Sequence, residues 1–256
     1  MKQANQILKT VGERLEPVVG LLFPPVCRIC ESSRARPDCG LICELCLEGI
    51  NEVEPPYCET CGLPFEGSLT TDFECANCRE MELHFDFARS AVKANDLVLE
   101  VIHRYKYSHE LWFEPLLVDW LVQLAQTIEG VGEMDLIVPV PLHPLKLRER
   151  EFNQAERLAV GLADATGLPV KGRALKRVLL TSTQTSLSRK KRMQNVRRAF
   201  QVAAHKGIAG KAVLLVDDVL TTGATTSACA QALKKAGASR VVVLTAVRAV
   251  FTPPTA

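Results

Sequence analysis

The 256-residue chain lacks any apolar run approaching the about 18 residues that a membrane-crossing helix needs. Its best candidate, Val18 to Val26, is interrupted by Pro24 and Pro25 and follows Glu13 and Glu16, so neither a span nor a secretory leader is expected. With 47% hydrophobic and 23% charged residues, low-complexity, collagen-like and disordered classes are excluded. The expectation is a soluble, cytoplasmic chain with no membrane insertion, long enough for one full core and a smaller remnant.

Two more absences divide the chain. Between Ala165 and Val216 there is no Asp or Glu but twelve Lys or Arg, while the other 204 residues hold 19 basic against 29 acidic groups. The formal charge of +2 therefore conceals an acidic body and one basic segment, which predicts an anionic partner. Cysteine is almost missing beyond Cys78: nine of ten lie between Cys27 and Cys78, and only Cys229 follows. That asymmetry predicts a cysteine-rich module with an amino-terminal helix over 1–80 and a second domain over 81–256.

The module contains four C-x2-C pairs, Cys27/Cys30, Cys43/Cys46, Cys58/Cys61 and Cys75/Cys78. Two residues between thiolates let both sulfurs face one ion about 2.3 Å away, and two such knuckles complete a tetrahedral Zn²⁺ site. Eight ligands predict two structural zincs. A disulfide scaffold is the competing reading, and a chain without an expected leader has no route to an oxidising compartment. Sequential pairing is the simpler arrangement; a cross-braced one, or Cys39 in place of Cys43, stays open. Closed four-Cys sites hold a fold together without doing chemistry. With seven basic against thirteen acidic residues over 1–80, the module is poorly suited to gripping phosphate backbones.

From about Leu83 the pattern changes. Strand-like Phe85 to Ala91, Asp135 to Val140, Lys211 to Val216 and Arg240 to Val247 alternate with helix-like Asp96 to Tyr107, Glu114 to Ile128, Asn153 to Thr166 and Ala224 to Ala236. Buried apolar strands alternating with helices predict an α/β fold with a parallel, doubly wound sheet and helices on both faces. Trp112 and Trp120, eight apart, read as one buried helical face, Cys229 as a small buried hydrophobe, and His103, His109 and His205 as residues without metal-ligand spacing.

The most informative stretch runs Val213-Leu-Leu-Val-Asp217-Asp218-Val-Leu-Thr221-Thr222-Gly223-Ala224-Thr225. A buried strand delivers two adjacent carboxylates at its carboxyl end, and a Thr-Thr-Gly loop then opens a helix whose free N–H groups suit a phosphate monoester. The paired carboxylates suit a sugar diol or a hydrated Mg²⁺. This string resembles the phosphoribosyl pyrophosphate (PRPP) motif of type I phosphoribosyltransferases. The resemblance implies that Asp217 and Asp218 hold the ribose 2′ and 3′ hydroxyls and carry the catalytic role, and that Thr221, Thr222, Gly223, Ala224 and Thr225 cradle the 5′-phosphate.

The cysteine module, Val138-Pro-Val-Pro-Leu-His143, Arg148-x-Arg150-Glu-Phe-Asn-Gln154, and Thr181-x2-Gln184-x2-Leu187-x4-Arg192-x2-Asn195 ending in Ala199-Phe200 together resemble the ComF family. These are competence-associated, phosphoribosyltransferase-like proteins with an amino-terminal zinc module, a double zinc ribbon on this reading. That family usually has Gly before Phe-Asn-Gln; here Glu151 stands there, and a position needing positive φ would strain it. The family's order of parts implies a pyrophosphate-binding loop after Val140 and a flexible flap from Leu179 to about Asn195, in which Arg189, Lys190 and Arg192 would cover the leaving group. The implied function is Mg²⁺-dependent transfer of phosphoribose from PRPP to a nitrogen acceptor, linked to DNA uptake, with DNA-uptake proteins as partners and a homodimer as a further expectation. The alternative is a single-stranded-DNA-binding accessory of transformation with a sensory or vestigial PRPP site. A RING-like adaptor fits the cysteines but leaves residues 135–247 unexplained.

Overall fold

Parallel strands cannot be joined by tight turns, so each apolar run here must be followed by a crossover, and the amphipathic helices supply it. The computed structural model describes residues 25–250, apart from 37–38, 66, 68–74, 180–197 and 204–206. Arg189, Lys190 and Arg192 of the expected flap, and the expected amino-terminal helix, fall outside the described residues.

The chain forms two compact units, 1–49 and 50–256. In the first, the bridges Val26↔Arg34 and Arg36↔Ile42 make a small antiparallel knuckle, followed by α1 (Glu44–Glu48). The second begins with a further knuckle and α2 (Ala76–Glu80), then β1 (Phe87–Lys93), α3 (Asp96–Tyr107), α4 (Glu114–Thr127), β2 (Leu136–Pro139), α5 (Pro144–Arg150) and α6 (Gln154–Thr166). It continues through β3 (Leu175–Arg177), β4 (Phe200–Val202), β5 (Ala212–Leu220), α7 (Ala224–Lys235) and β6 (Arg240–Arg248). The compositional change near residue 80 sets both cysteine groups apart from the sheet, whereas the compact units divide between the two groups.

The main sheet has the order β1-β6-β5-β2, parallel throughout. Helices α4 and α6 pack on one face, and α7 packs against β4, β5 and β6 on the other. Val213, Leu214, Leu215 and Val216 of β5 and Val241 to Leu244 of β6 are fully buried, so both faces of these central strands are covered. Each such side chain contributes about 1.5–3 kcal/mol by leaving water.

Local signals fix the ends of the helices. The Asn95 Oδ1 accepts from Val98 N at 2.9 Å and starts α3. Pro115 falls in the first turn of α4, where no N–H is missed, and Gly167 at φ 74° closes α6. Trp120 is buried in α4, but Trp112 falls in the 3₁₀ turn Leu111–Phe113 and is 38% exposed, because the helix begins after it. Cys229 is fully buried.

Candidate functional site

Strand β5 runs past its apolar stretch and carries Asp217 and Asp218 near its carboxyl end. Successive strand residues point to opposite faces, so the two carboxylates meet different neighbours. Asp218, 6% exposed, accepts from the Lys106 Nζ of α3 at 2.8 Å. Asp217 Oδ1 accepts from the Asp218 backbone N at 2.9 Å. Burial first, and the charge of Asp218 second, push the Asp217 carboxyl up to about 8, against the downward pull of Lys106. The Asp217 carboxyl thus holds its proton more tightly than an exposed carboxyl does.

Beyond Leu220 the chain turns through Thr221, Thr222 and Gly223 into α7. Gly223 adopts φ 85° at the N-cap, a left-handed conformation open to glycine without cost. The Thr222 Oγ1 accepts from Ala224 N at 3.4 Å, and Thr226 Oγ1 donates to Gly223 O at 3.1 Å. The loop is also held from behind. The guanidinium of Arg248, 1% exposed, donates through Nη1 to Leu220 O at 2.9 Å, to Thr221 O and to Ala249 O at 3.0 Å. The Asn77 Nδ2 donates to Thr222 O at 3.1 Å.

Asp217, Asp218, Thr221 and Thr225 line one open cleft of ≈1030 Å³, together with Val140, Pro141 and Leu142 from the loop after β2. Thr222, Gly223 and Ala224 form the backbone turn beside it. The cleft also receives groups that the motif did not specify. Lys106 comes from α3, remote in sequence from the Asp-Asp/Thr-Thr-Gly string. Arg177 comes from β3, with its guanidinium 5.5 Å from the Phe200 ring centre and its pKa drawn below the usual value by burial. Arg150 donates to Gln154 Oε1 at 3.2 Å and to the Tyr107 hydroxyl at 2.8 Å. Gln154 is 2% exposed and lines the cleft, and its Nε2 has no hydrogen-bond partner among the described residues. Between them Glu151 stands at φ 62°, the left-handed strain its replacement of glycine predicts.

The cysteines form two groups, Cys27/Cys30/Cys43/Cys46 and Cys58/Cys61/Cys75/Cys78, each with all four sulfurs within 4.8 Å of one another. Four bonds of about 2.3 Å in a tetrahedron put sulfurs about 3.8 Å apart. The observed Sγ–Sγ distances are 3.9 Å for Cys27–Cys46, 3.7 Å for Cys30–Cys43, 3.7 Å for Cys58–Cys78 and 3.4 Å for Cys61–Cys75. The donor sets fit structural Zn²⁺, and the grouping is sequential with Cys43 in the first set.

Comparison with known proteins agrees with both parts. A double zinc ribbon domain matches residues 18–79, and a phosphoribosyl transferase domain matches residues 147–250. Competence protein F of Haemophilus influenzae is 30% identical over 206 residues, 79% of this chain and 88% of that protein. The DNA utilization protein YhgH of Salmonella typhimurium is 29% identical over 226 residues, 87% of this chain and 96% of that protein. A solved glutamine PRPP amidotransferase from B. subtilis shares 27% identity over 50% of this chain and 25% of its own, at a TM-score of 0.34, a likeness too loose to carry an argument. With its two four-cysteine groups, its parallel sheet and a likeness to Competence protein F over most of its length, this chain belongs to the ComF family.

Proposed function

We propose that the chain binds PRPP with Mg²⁺ in the cleft at the end of β5 and transfers phosphoribose to a nitrogen acceptor, in the cytoplasm and in the service of DNA uptake. The observation that carries this reading is the convergence of Asp217, Asp218 and the amino terminus of α7 on one cleft. The α7 amides and the Thr221 and Thr225 hydroxyls are donors for a 5′-phosphate, with Thr222, Gly223 and Ala224 shaping the turn. Asp217 and Asp218 accept from the ribose hydroxyls. Mg²⁺, when bound with PRPP, neutralises charge on the pyrophosphate.

In the reaction the acceptor nitrogen forms a bond to C1 as the C1–O bond to pyrophosphate breaks; the acceptor's proton passes to solvent. No nucleophilic side chain is required, since positioning and neutralisation of the leaving group lower the barrier. Lys106 has three donors and uses one on Asp218, so it can donate to a pyrophosphate oxygen as well. Arg189, Lys190 and Arg192 serve as the cationic cover that excludes water from C1. The test is calorimetry with PRPP and Mg²⁺. Binding is expected to weaken by more than about tenfold in an Asp217→Asn, Asp218→Asn variant, the scale of lost charged hydrogen bonds, and unchanged affinity would sink the assignment. A pyrophosphate-release screen over bases and amines identifies the acceptor.

A second reading rests on the acid-free basic segment and on the likeness to a competence protein and a DNA utilization protein: single-stranded DNA is the anion, and the PRPP site is sensory or vestigial. Single-strand affinity that falls steeply with salt and is lost on neutralising Arg189 to Arg192, with no pyrophosphate released, would select it.

A further inference from the structure

The second cysteine group shares its hydrogen-bond network with the loop read above as the phosphate site. Arg248 closes β6 inside the unit, and its partners are three backbone carbonyls and a sulfur: Nη2 lies 3.7 Å from Cys61 Sγ while Nη1 serves Leu220 O and Thr221 O. A guanidinium buried to 1% exposure needs a countercharge. A zinc ion held by four thiolates carries about two negative charges, which supplies it. Asn77 makes a second link, because it sits between the ligands Cys75 and Cys78 and donates to Thr222 O. The knuckle itself is fixed to the sheet, with Ala88 N donating to Thr60 O at 2.8 Å.

We infer that Arg248 and Asn77 are positioning residues through which metal occupancy of the Cys58/Cys61/Cys75/Cys78 centre sets the conformation of loop 221–223, so that zinc retention there and phosphate-ester binding in the cleft are thermodynamically coupled. The inference builds on the proposed phosphate site and adds its control. Coupling of this kind is reciprocal. Whatever the metal does for the ligand, the ligand does for the metal, and the Cys27/Cys30/Cys43/Cys46 centre of the other unit is an internal control.

The test uses the full chain loaded with two zincs, as wild type, Asn77→Ala, Arg248→Met and Arg248→Lys, each checked for metal content. Hydrogen–deuterium exchange of the 221–225 amides needs no ligand. It is expected to quicken about fivefold in Asn77→Ala, the scale of one lost neutral hydrogen bond, and about tenfold or more in Arg248→Met, where charged ones are lost, while β5 amides stay protected. Arg248→Lys keeps the charge but cannot span sulfur and carbonyls as the guanidinium fork does, so it holds zinc without restoring loop protection. In the second measurement a chromogenic chelator removes zinc with and without PRPP–Mg²⁺. One of the two equivalents is expected to leave more slowly with ligand in wild type, and this protection is lost in Asn77→Ala. Unchanged loop exchange in both variants, or equal release with and without bound PRPP, overturns the coupling. Absence of PRPP binding to wild type would overturn the proposed substrate instead, with loop exchange still deciding the coupling. Should Arg248→Met lose its metal, Asn77→Ala, which leaves all ligands and the buried cation in place, decides alone.

Discussion

The two cysteine groups are nearly indistinguishable as spacing patterns, yet their surroundings differ. In the first, Cys30 is exposed and Cys46 half-buried; in the second all four cysteines are buried. The second knuckle lies along β1, the edge of the sheet, where Val53 N donates to Ala91 O and Ala88 N to Thr60 O. Arg89 adds a hydrogen bond to Glu59 O at 2.7 Å and an ion pair with Glu59 Oε2. A bare edge strand invites pairing with other chains, and this one is covered by the metal-binding segment. The same motif therefore acts as a local staple in one place and as part of the sheet's boundary in another.

The largest expected effect follows from that difference. Structural zinc contributes about 10–16 kcal/mol that appears as folding energy where the site belongs to the folding unit. Cys61→Ser is expected to remove the cooperative thermal transition of the α/β unit, whereas Cys30→Ser leaves that transition in place and forfeits one zinc equivalent. Circular dichroism melts with metal analysis measure both, and equal losses of transition temperature would erase the distinction. A smaller perturbation probes the same boundary without touching a ligand. Gly62 adopts φ +63°, and a Cβ there would stand 2.8 Å from the Ala88 carbonyl oxygen. Gly62→Ala is expected to cost about 2–4 kcal/mol by denaturant unfolding, since both backbone strain and the clash must be absorbed. A cost near zero would mean that the knuckle can lift from β1 freely.

How much of this was legible in the sequence depends on whether the signal is local. Eight cysteines in four pairs, the Asp-Asp/Thr-Thr-Gly string and the period of each long element lie within short windows, and helix α3 falls on the residues its periodicity predicts, Asp96 to Tyr107. Arg248 is the counterexample. It follows an apolar strand that the pattern ends at Val247, and nothing beside it hints that Cys61, 187 residues earlier, will be its neighbour. Lys106 and Arg177 reach the cleft from elements remote in sequence from the motif. Strands β3 and β4 are three residues each, too short for a period to register, and they pair across a long intervening segment.

The strand that leads into the pinned loop also carries a titration that can be read in stability. Asp217 has its folded pKa raised to about 8 from an ordinary 3.8. Between those values the folded state holds a proton that the unfolded chain has released, so this group's contribution is fully present below about pH 4 and is lost as pH rises through 8. Asp217→Asn removes the titration, and its stability relative to wild type is expected to improve from pH 5 to about pH 8 and then to level off. Denaturant midpoints at matched pH measure this. A constant difference across the range would mean that Asp217 is ionised throughout and that the burial around it is relieved.

The end of α5, whose Lys146 and Arg150 also line the cleft, gives the smallest effect. There α5 ends in Glu151 at φ 62°, its side chain largely exposed, with His109 Nε2 3.9 Å from its carboxylate. A non-glycine residue in this region is strained by about 1–2 kcal/mol, and an exposed pair of this kind returns little of it. Glycine removes the strain but gains freedom in the unfolded chain, an opposing cost of about 0.5–1 kcal/mol. The net expectation for Glu151→Gly is stabilisation of about 1 kcal/mol or less, seen as a later denaturant midpoint with an unchanged slope. Because strain near a ligand site persists where it shapes binding, the same variant also measures what the strain does. If PRPP affinity is unchanged while stability rises, the loop tolerates glutamate without using it. If affinity falls as stability rises, the left-handed glutamate is part of how this wall meets its ligand.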